Sequence, residues 1–191
     1  MKTRFSPSKG FTLLELLIVM TIIAVLAGGI FSAAQSALKK TRDLQARNMA
    51  IGLVSGITKF RADYTRWPVP AGGGSTDIQN LESNGEVIEY LLGKTAEAQT
   101  INTSGINYID SMPLAKDNRN GITYKNNGQE GDITDPWGNP YYIAIDKDGN
   151  NELDNPEGGA DKLYNIKVAV YSKGNDKEIG AEKNTDNVRS W

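Results

Sequence analysis

Residues 11–31 read FTLLELLIVMTIIAVLAGGIF, and Glu15 is the only charged residue among them. About 20 residues of helix span about 30 Å, the thickness of a bilayer's hydrocarbon core. The run therefore predicts a single membrane-spanning helix. The ten residues before it, MKTRFSPSKG, carry Lys2, Arg4 and Lys9 and no acid. That basic flank is expected on the cytoplasmic side, with everything after the span across the membrane. A signal peptide or signal anchor has the same outline, but the apolar region of a cleavable signal is about 7–15 residues long. It also has no use for a carboxylate inside the run, which costs about 2.5–3.5 kcal/mol at mid-bilayer and less near an interface. Glu15 needs a reason to be there.

Composition removes most chemistry. The chain has 191 residues, enough for one domain with an appendage. It has no Cys and no His, so disulfides, thiolate nucleophiles, imidazole bases and the usual zinc ligands are excluded. With 21 Lys and Arg against 23 Asp and Glu, it carries a net charge of −2, which argues against nucleic acid as a partner. The Gly72-Gly73-Gly74 run lacks the Lys of a phosphate loop. The scattered Asp and Glu pairs fall in acidic loops and compose no catalytic constellation. The chain is not expected to be an enzyme.

No Pro occurs between Ser32 and Tyr64, so the helix should run on as an amphipathic segment over residues 32–66. Ala34, Ala37, Leu38, Thr41 and Leu44, then Ile51, Val54, Ile57, Phe60 and Tyr64, mark the expected packing stripe. Gly28-Gly29 weakens the helix, and Gly52 and Gly56 lie four apart on a face suited to close backbone approach. Pro68 ends the helix, and residues 67–191 form the predicted globular head. There Ala71–Ser75 reads as a loop, and residues 86–92 as a short helix stopped by Gly93. Residues 95–127 read as loops with one or two short strands. Asp135-Pro136-Trp137-Gly138-Asn139-Pro140-Tyr141 is dense turn chemistry around a large aromatic, and strands are expected at 141–145 and 163–171. Two antiparallel strands lying on the long helix give an α+β fold.

Gly10-Phe11-Thr12-Leu13-Leu14-Glu15 resembles the processing site of type IV pilins and of the pseudopilins of type II secretion systems. The Asp135–Tyr141 run and the ending Val170-Tyr171-Ser172-Lys173-Gly174-Asn175-Asp176, with the terminal Trp191, resemble the major (G-type) pseudopilin more closely. The resemblance implies a type IV pilin-like fold, with a long N-terminal helix on a small antiparallel sheet and a calcium-type C-terminal loop. It implies that a prepilin peptidase cuts between Gly10 and Phe11, removes residues 1–10 as a leader and N-methylates Phe11. It further implies a homopolymer assembled with minor pseudopilins on an inner-membrane secretion platform. The subunit would sit in membrane lipid before assembly, as a single pass with a cytoplasmic N-terminus and a periplasmic head, and the pseudopilus would form in the periplasm. The alternatives are a type IV pilin of a surface filament, serving adhesion, motility or DNA uptake, and a membrane-anchored extracytoplasmic binding domain. The absence of Cys favours the pseudopilin over pilins whose last loop is closed by a disulfide. On this reading Glu15 neutralises the new ammonium at Phe11 of a neighbouring subunit, because neither charge is tolerated alone in an apolar core.

The resemblance also implies calcium in the last loop, with Asp176 and Asp186 as ligands and Ser172 assisting; such a loop can supply the hard oxygens Ca²⁺ requires. A second candidate is the oxygen-rich run Asp146, Asp148, Asn150 and Glu152, which resembles the start of an EF-hand loop with Glu157 in the closing position. Its Gly149 stands at position four instead of six. The competing reading is a hairpin tip, where Asp, Asn and Gly are expected in any case.

Overall fold

The computed structural model describes residues 10–70, 76–158, 160–178 and 186–191. Residues 1–9, 71–75, 159 and 179–185 lie outside the described residues; with them fall the expected leader, the expected Ala71–Ser75 loop and most of the expected C-terminal loop. The chain divides into a unit ending at Thr41 and a second unit, Arg42–Trp191.

One helix, α1, runs Leu13–Tyr64. In the first unit its apolar side chains point outward on every side: Leu13, Leu17, Val25 and Ile30 are all exposed. A helix apolar all round is built for an environment other than water, and α1 is long and apolar enough to cross a membrane.

In the second unit α1 is amphipathic. Its buried stripe is Ala46, Met49, Ala50, Leu53, Ile57 and Phe60. This corrects the stripe read from sequence. Ile57 and Phe60 belong to it and Val54 and Tyr64 pack partly against it, but Ile51 is 46% exposed. Steps of three alone turn a 3.6-residue helix steadily away from the core, whereas the real stripe alternates steps of three and four. At Gly56 a Cβ would stand 2.8 Å from the Tyr108 carbonyl oxygen, so the expected close backbone approach is present against the 108–109 segment. The helix stops where Thr65 takes a positive φ of 53°. The Arg61 guanidinium then lies 4.3 Å over the ring of buried Trp67.

The main sheet is four-stranded and antiparallel, in the order β1 (Ile78–Glu82), β4 (Tyr142–Ile145), β7 (Val168–Ser172) and β8 (Val188–Arg189). Alternation sorts its two faces. Ile143, Ile145, Val168 and Val170 join the large core with the α1 stripe. Ala144 and Ala169 form a smaller cluster with Leu153, against which Leu163, Ile166 and Trp191 pack. The helix α2, Glu86–Leu92, ends at Gly93 in the left-handed conformation, as its sequence predicts. A hairpin of β2 (Gly121–Lys125) and β3 (Glu130–Thr134) buries Ile122 and Ile133.

The strand expected over 163–171 is two strands. β6 (Lys162–Tyr164) pairs with β5 (Glu152–Asp154), while β7 belongs to the main sheet. Asn165, with φ 59°, breaks the run, since Asn tolerates the left-handed conformation that ends a strand. The two-strand head is accordingly extended to four strands plus two ribbons.

Candidate functional site

At the N-terminus, Thr12 and Glu15 cap α1. The Thr12 Oγ1 accepts from the Glu15 N–H at 3.2 Å, and Glu15 Oε2 accepts from the Thr12 N–H and hydroxyl, each at 2.9 Å. Thr-x-x-Glu at a helix start is a capping box, in which two orphan N–H groups are satisfied reciprocally. Glu15 therefore has a local role that the sequence reading did not include. Oε2 is committed within the chain; among the described residues no bond is recorded for Oε1. That oxygen is available for the intersubunit role expected of Glu15. Gly10 and Phe11 precede the helix, and Phe11 is 79% exposed.

In the head, the Asp135–Tyr141 turn is a clamp. Asp135 is fully buried. Its Oδ1 accepts from the Trp137 N–H at 2.9 Å and the Asn139 N–H at 2.8 Å. Its Oδ2 accepts from Asn139 Nδ2 at 3.0 Å and from the Ser172 hydroxyl at 2.5 Å. Asn139 Nδ2 also donates to the Gly174 carbonyl at 2.7 Å, and the Gly174 N–H donates to Ser172 Oγ at 3.0 Å. Tyr141, the fully buried aromatic of the turn, donates its hydroxyl to the Ala46 carbonyl of α1 at 3.2 Å. Its phenol is pushed well above the ordinary tyrosine range, first by burial and then by the Asp135 charge. One turn thus ties the last loop and α1 together.

Ser172 is buried, and its hydroxyl donates to Asp135 and accepts from the Gly174 N–H, which builds it into this clamp. Asp186 and Asp176 do lie together. Asp186 Oδ2 accepts from the N–H groups of Asn175 at 2.8 Å and Asp176 at 3.1 Å, while Asp186 Oδ1 is buried without a hydrogen-bond partner. Asp176 Oδ1 accepts from the Glu178 N–H at 2.9 Å. An orphaned buried oxygen on Asp186 suits a cation at this loop.

The alternative run is brought together differently. Carboxylate oxygens of Asp77, Asp146 and Asp148 lie within 4.8 Å of one another. Asp77 comes from just before β1, some seventy residues away, and no local sequence signal could have found it. The carboxylates also accept hydrogen bonds: buried Asp146 accepts from the N–H groups of Gly149 at 2.7 Å and Asn151 at 3.1 Å. Asp148 accepts from the Asn150 N–H at 2.9 Å and Nδ2 at 3.0 Å. Asn150 Oδ1 takes the Glu152 N–H at 2.7 Å, and Glu152 pairs with Lys162 at 2.8 Å. Glu157, the residue in the closing position of the EF-hand-like run, is buried and ion-paired with Arg189. These bonds are those of a turn, and they bring three carboxylates within reach of one cation.

Residues 6–31 match the prokaryotic N-terminal methylation motif. Over 100 residues the chain is 28% identical to the type IV major pilin protein PilE1 of Neisseria gonorrhoeae, a match covering 52% of this chain and 56% of that protein. It is likewise 28% identical over 100 residues to the fimbrial protein EcpC of Eikenella corrodens, covering 51% of this chain and 65% of that one. A fimbrial protein of Neisseria meningitidis serogroup A is 36% identical over 75 residues, covering 37% of this chain and 44% of its own length. The chain thus spans less than two thirds of the length of each of these relatives. No solved structure matches it. The chain thus carries an N-terminal methylation motif ahead of an apolar helix, has an α+β fold of one long N-terminal helix and a small antiparallel sheet, and is similar over part of its length to type IV pilins and fimbrial proteins.

Proposed function

We propose that this chain is a subunit of a type IV pilus-like filament, and that residues 11–31 are its assembly element. The observation that carries the reading is α1 itself: capped at Thr12, apolar on every side through Phe31, and preceded by the Gly10-Phe11 junction of a methylation motif. Such a surface is satisfied by lipid before assembly and by other copies of α1 afterward. A prepilin peptidase cuts after Gly10, and the exposed Oε1 side of Glu15 meets the Phe11 ammonium of a neighbour. The relatives are pilins and fimbrial proteins, which favours a surface filament.

The second reading is the major pseudopilin of a type II secretion system, with minor pseudopilins, the inner-membrane platform and a periplasmic pseudopilus. Its support is the Asp135 clamp, which holds the last loop by hydrogen bonds in a chain without Cys. On either reading calcium binds at the C-terminal loop through Asp186 and Asp176, and the ion would supply the positive charge that the orphaned Asp186 oxygen lacks. The test is cell fractionation. A surface filament puts the processed chain into the fraction sheared from intact cells. A pseudopilin stays in the envelope, and deletion of its gene halts secretion of exoproteins. An unprocessed chain in the membrane, with neither phenotype, overturns both and supports the anchored binding domain.

A further inference from the structure

We propose that the buried carboxylate of Glu157 is a latch on the C-terminal tail, and that by holding Arg189 it sets how tightly the last loop keeps its calcium. The proposal rests on the calcium reading of Asp186 and Asp176. Glu157 lies in the turn between β5 and β6. Its N–H donates to Asn155 Oδ1 at 3.1 Å, and the Gly158 N–H closes the turn on the Asn155 carbonyl at 2.9 Å. The turn is fastened to the main sheet, because the Tyr171 hydroxyl of β7 is shared between Asn80 Oδ1 at 2.9 Å and the Pro156 carbonyl at 3.3 Å. The Glu157 side chain is 1% exposed, and neither of its buried oxygens has a hydrogen-bond partner among the described residues. A carboxylate so placed has lost its water and is tolerated only against a cation. Among the described residues that cation is Arg189, which reaches it from β8 with its own side chain 42% exposed. The pair is lopsided: Arg189 without Glu157 can turn to water, whereas Glu157 without Arg189 is stranded.

Arg189 stands three residues after Asp186, and the segment between them lies along β7. Val188 is buried and pairs with Ser172, and Arg189 pairs with Tyr171. Beyond the latch the Ser190 N–H donates to the Val170 carbonyl at 2.9 Å, and Ser190 Oγ accepts from the Val170 N–H at 3.0 Å. The Trp191 ring packs on the cluster of Ala144, Leu153 and Ala169. At the other end the Asp186 backbone sits so close to Gly174, whose φ is 69°, that a Cβ there would run into the Asp186 carbonyl. In that seat Asp186 Oδ2 covers the N–H groups of Asn175 and Asp176 and leaves Oδ1 unpaired for the ion. A tail held against β7 therefore presents Asp186 already positioned, and a tail that peels from β7 carries Asp186 away. Closure of the tail and occupation of the loop are linked, and each strengthens the other by the same factor.

The test titrates Ca²⁺ calorimetrically into the full chain in detergent, for wild type, R189Q, E157Q and E157Q/R189Q, and reads the heat that D186A abolishes. Hydrogen exchange at Val188, Arg189 and Ser190 is followed in the same proteins with the ion chelated. R189Q strands the carboxylate, so its Ca²⁺ affinity is expected to fall about tenfold, with faster exchange in the tail. E157Q leaves only a cation that water can reach, and loses less. The double variant recovers most of what R189Q loses, because no buried charge remains. An R189Q chain that fails to fold while the double variant folds is the same result in stronger form. A double variant as weak as R189Q, or R189Q indistinguishable from wild type in both readouts, overturns the latch. Unchanged Ca²⁺ affinity in R189Q beside a faster-exchanging tail overturns its link to the ion. A wild type that takes up no Ca²⁺ overturns the calcium reading itself, and the exchange pattern then decides the latch alone.

Discussion

The Ser172 hydroxyl donates to Asp135 Oδ2 at 2.5 Å, joining the turn after β3 to the end of β7. With Asn139 bridging the same carboxylate to the Gly174 carbonyl, this contact does for the C-terminal loop what a disulfide cannot do in a chain without Cys. Replacing Asp135 by Ala leaves the N–H groups of Trp137 and Asn139 and the Ser172 hydroxyl without their acceptor in a dry site. The expected loss is about 2–4 kcal/mol, because buried donors are stranded. Ser172→Ala removes a donor to Asp135 and the acceptor of the Gly174 N–H, and should cost about 1–3 kcal/mol. Urea unfolding of the detergent-solubilised protein checks both; equal midpoints for wild type and Asp135→Ala would contradict the clamp.

Thr12 and Glu15 separate two roles in one side chain. Gln at position 15 can still close the capping box but carries no charge. Glu15→Gln should therefore keep the helix start and the membrane-inserted monomer while abolishing filaments, whereas Thr12→Ala should weaken the start by about 1 kcal/mol and leave filaments present. Electron microscopy of sheared fractions, paired with circular dichroism, reads both. Normal filaments from Glu15→Gln would leave the residue a cap and nothing more.

Two glycines of the same helix should respond oppositely. A Cβ at Gly56 meets the Tyr108 carbonyl oxygen at 2.8 Å, so Gly56→Ala is expected to cost about 1–3 kcal/mol. A Cβ at Gly28 meets nothing within 4 Å, and Gly28→Ala should strengthen the helix by up to about 1 kcal/mol. Thermal melts of the two variants distinguish contact from propensity.

Burial pushes the Glu89 carboxyl above its usual range, and Glu130, Glu86 and Glu97 add like-charge repulsion. The folded state therefore favours the protonated form. The associated stability is fully present below the ordinary carboxyl range and is lost as pH rises through the raised value. Glu89→Gln should raise the melting temperature at neutral pH and make no difference in acid. A variant less stable than wild type at pH 7 contradicts this.

Much of this protein was legible because its signals are local. The apolar run, the Pro-free stretch, Gly93 as a helix stop and the Asp135–Tyr141 turn each declare themselves within a few residues. What escaped is non-local. β1 has a mixed sequence and is recruited by pairing with β4. Asp77 joins Asp146 only through the fold. The break at Asn165 splits what reads as one strand, because alternation continues across it while the backbone turns. The Thr12–Glu15 cap is the local exception: Thr-x-x-Glu is a sequence pattern, but it lies hidden inside an apolar run in which Glu15 stands out for its charge.

Calcium should bind the last loop and not the Asp146 turn. Calorimetric titration of the full chain should show Asp186→Ala abolishing the heat of Ca²⁺ binding and Asp148→Ala leaving it intact; the reverse pattern would move the ion to the other loop.

The most direct measurement is the intact mass and N-terminal sequence of the protein recovered from its native membrane. The account predicts a chain that begins at N-methylated Phe11, with residues 1–10 gone. A chain still starting at Met1, or cut anywhere other than between Gly10 and Phe11, contradicts it.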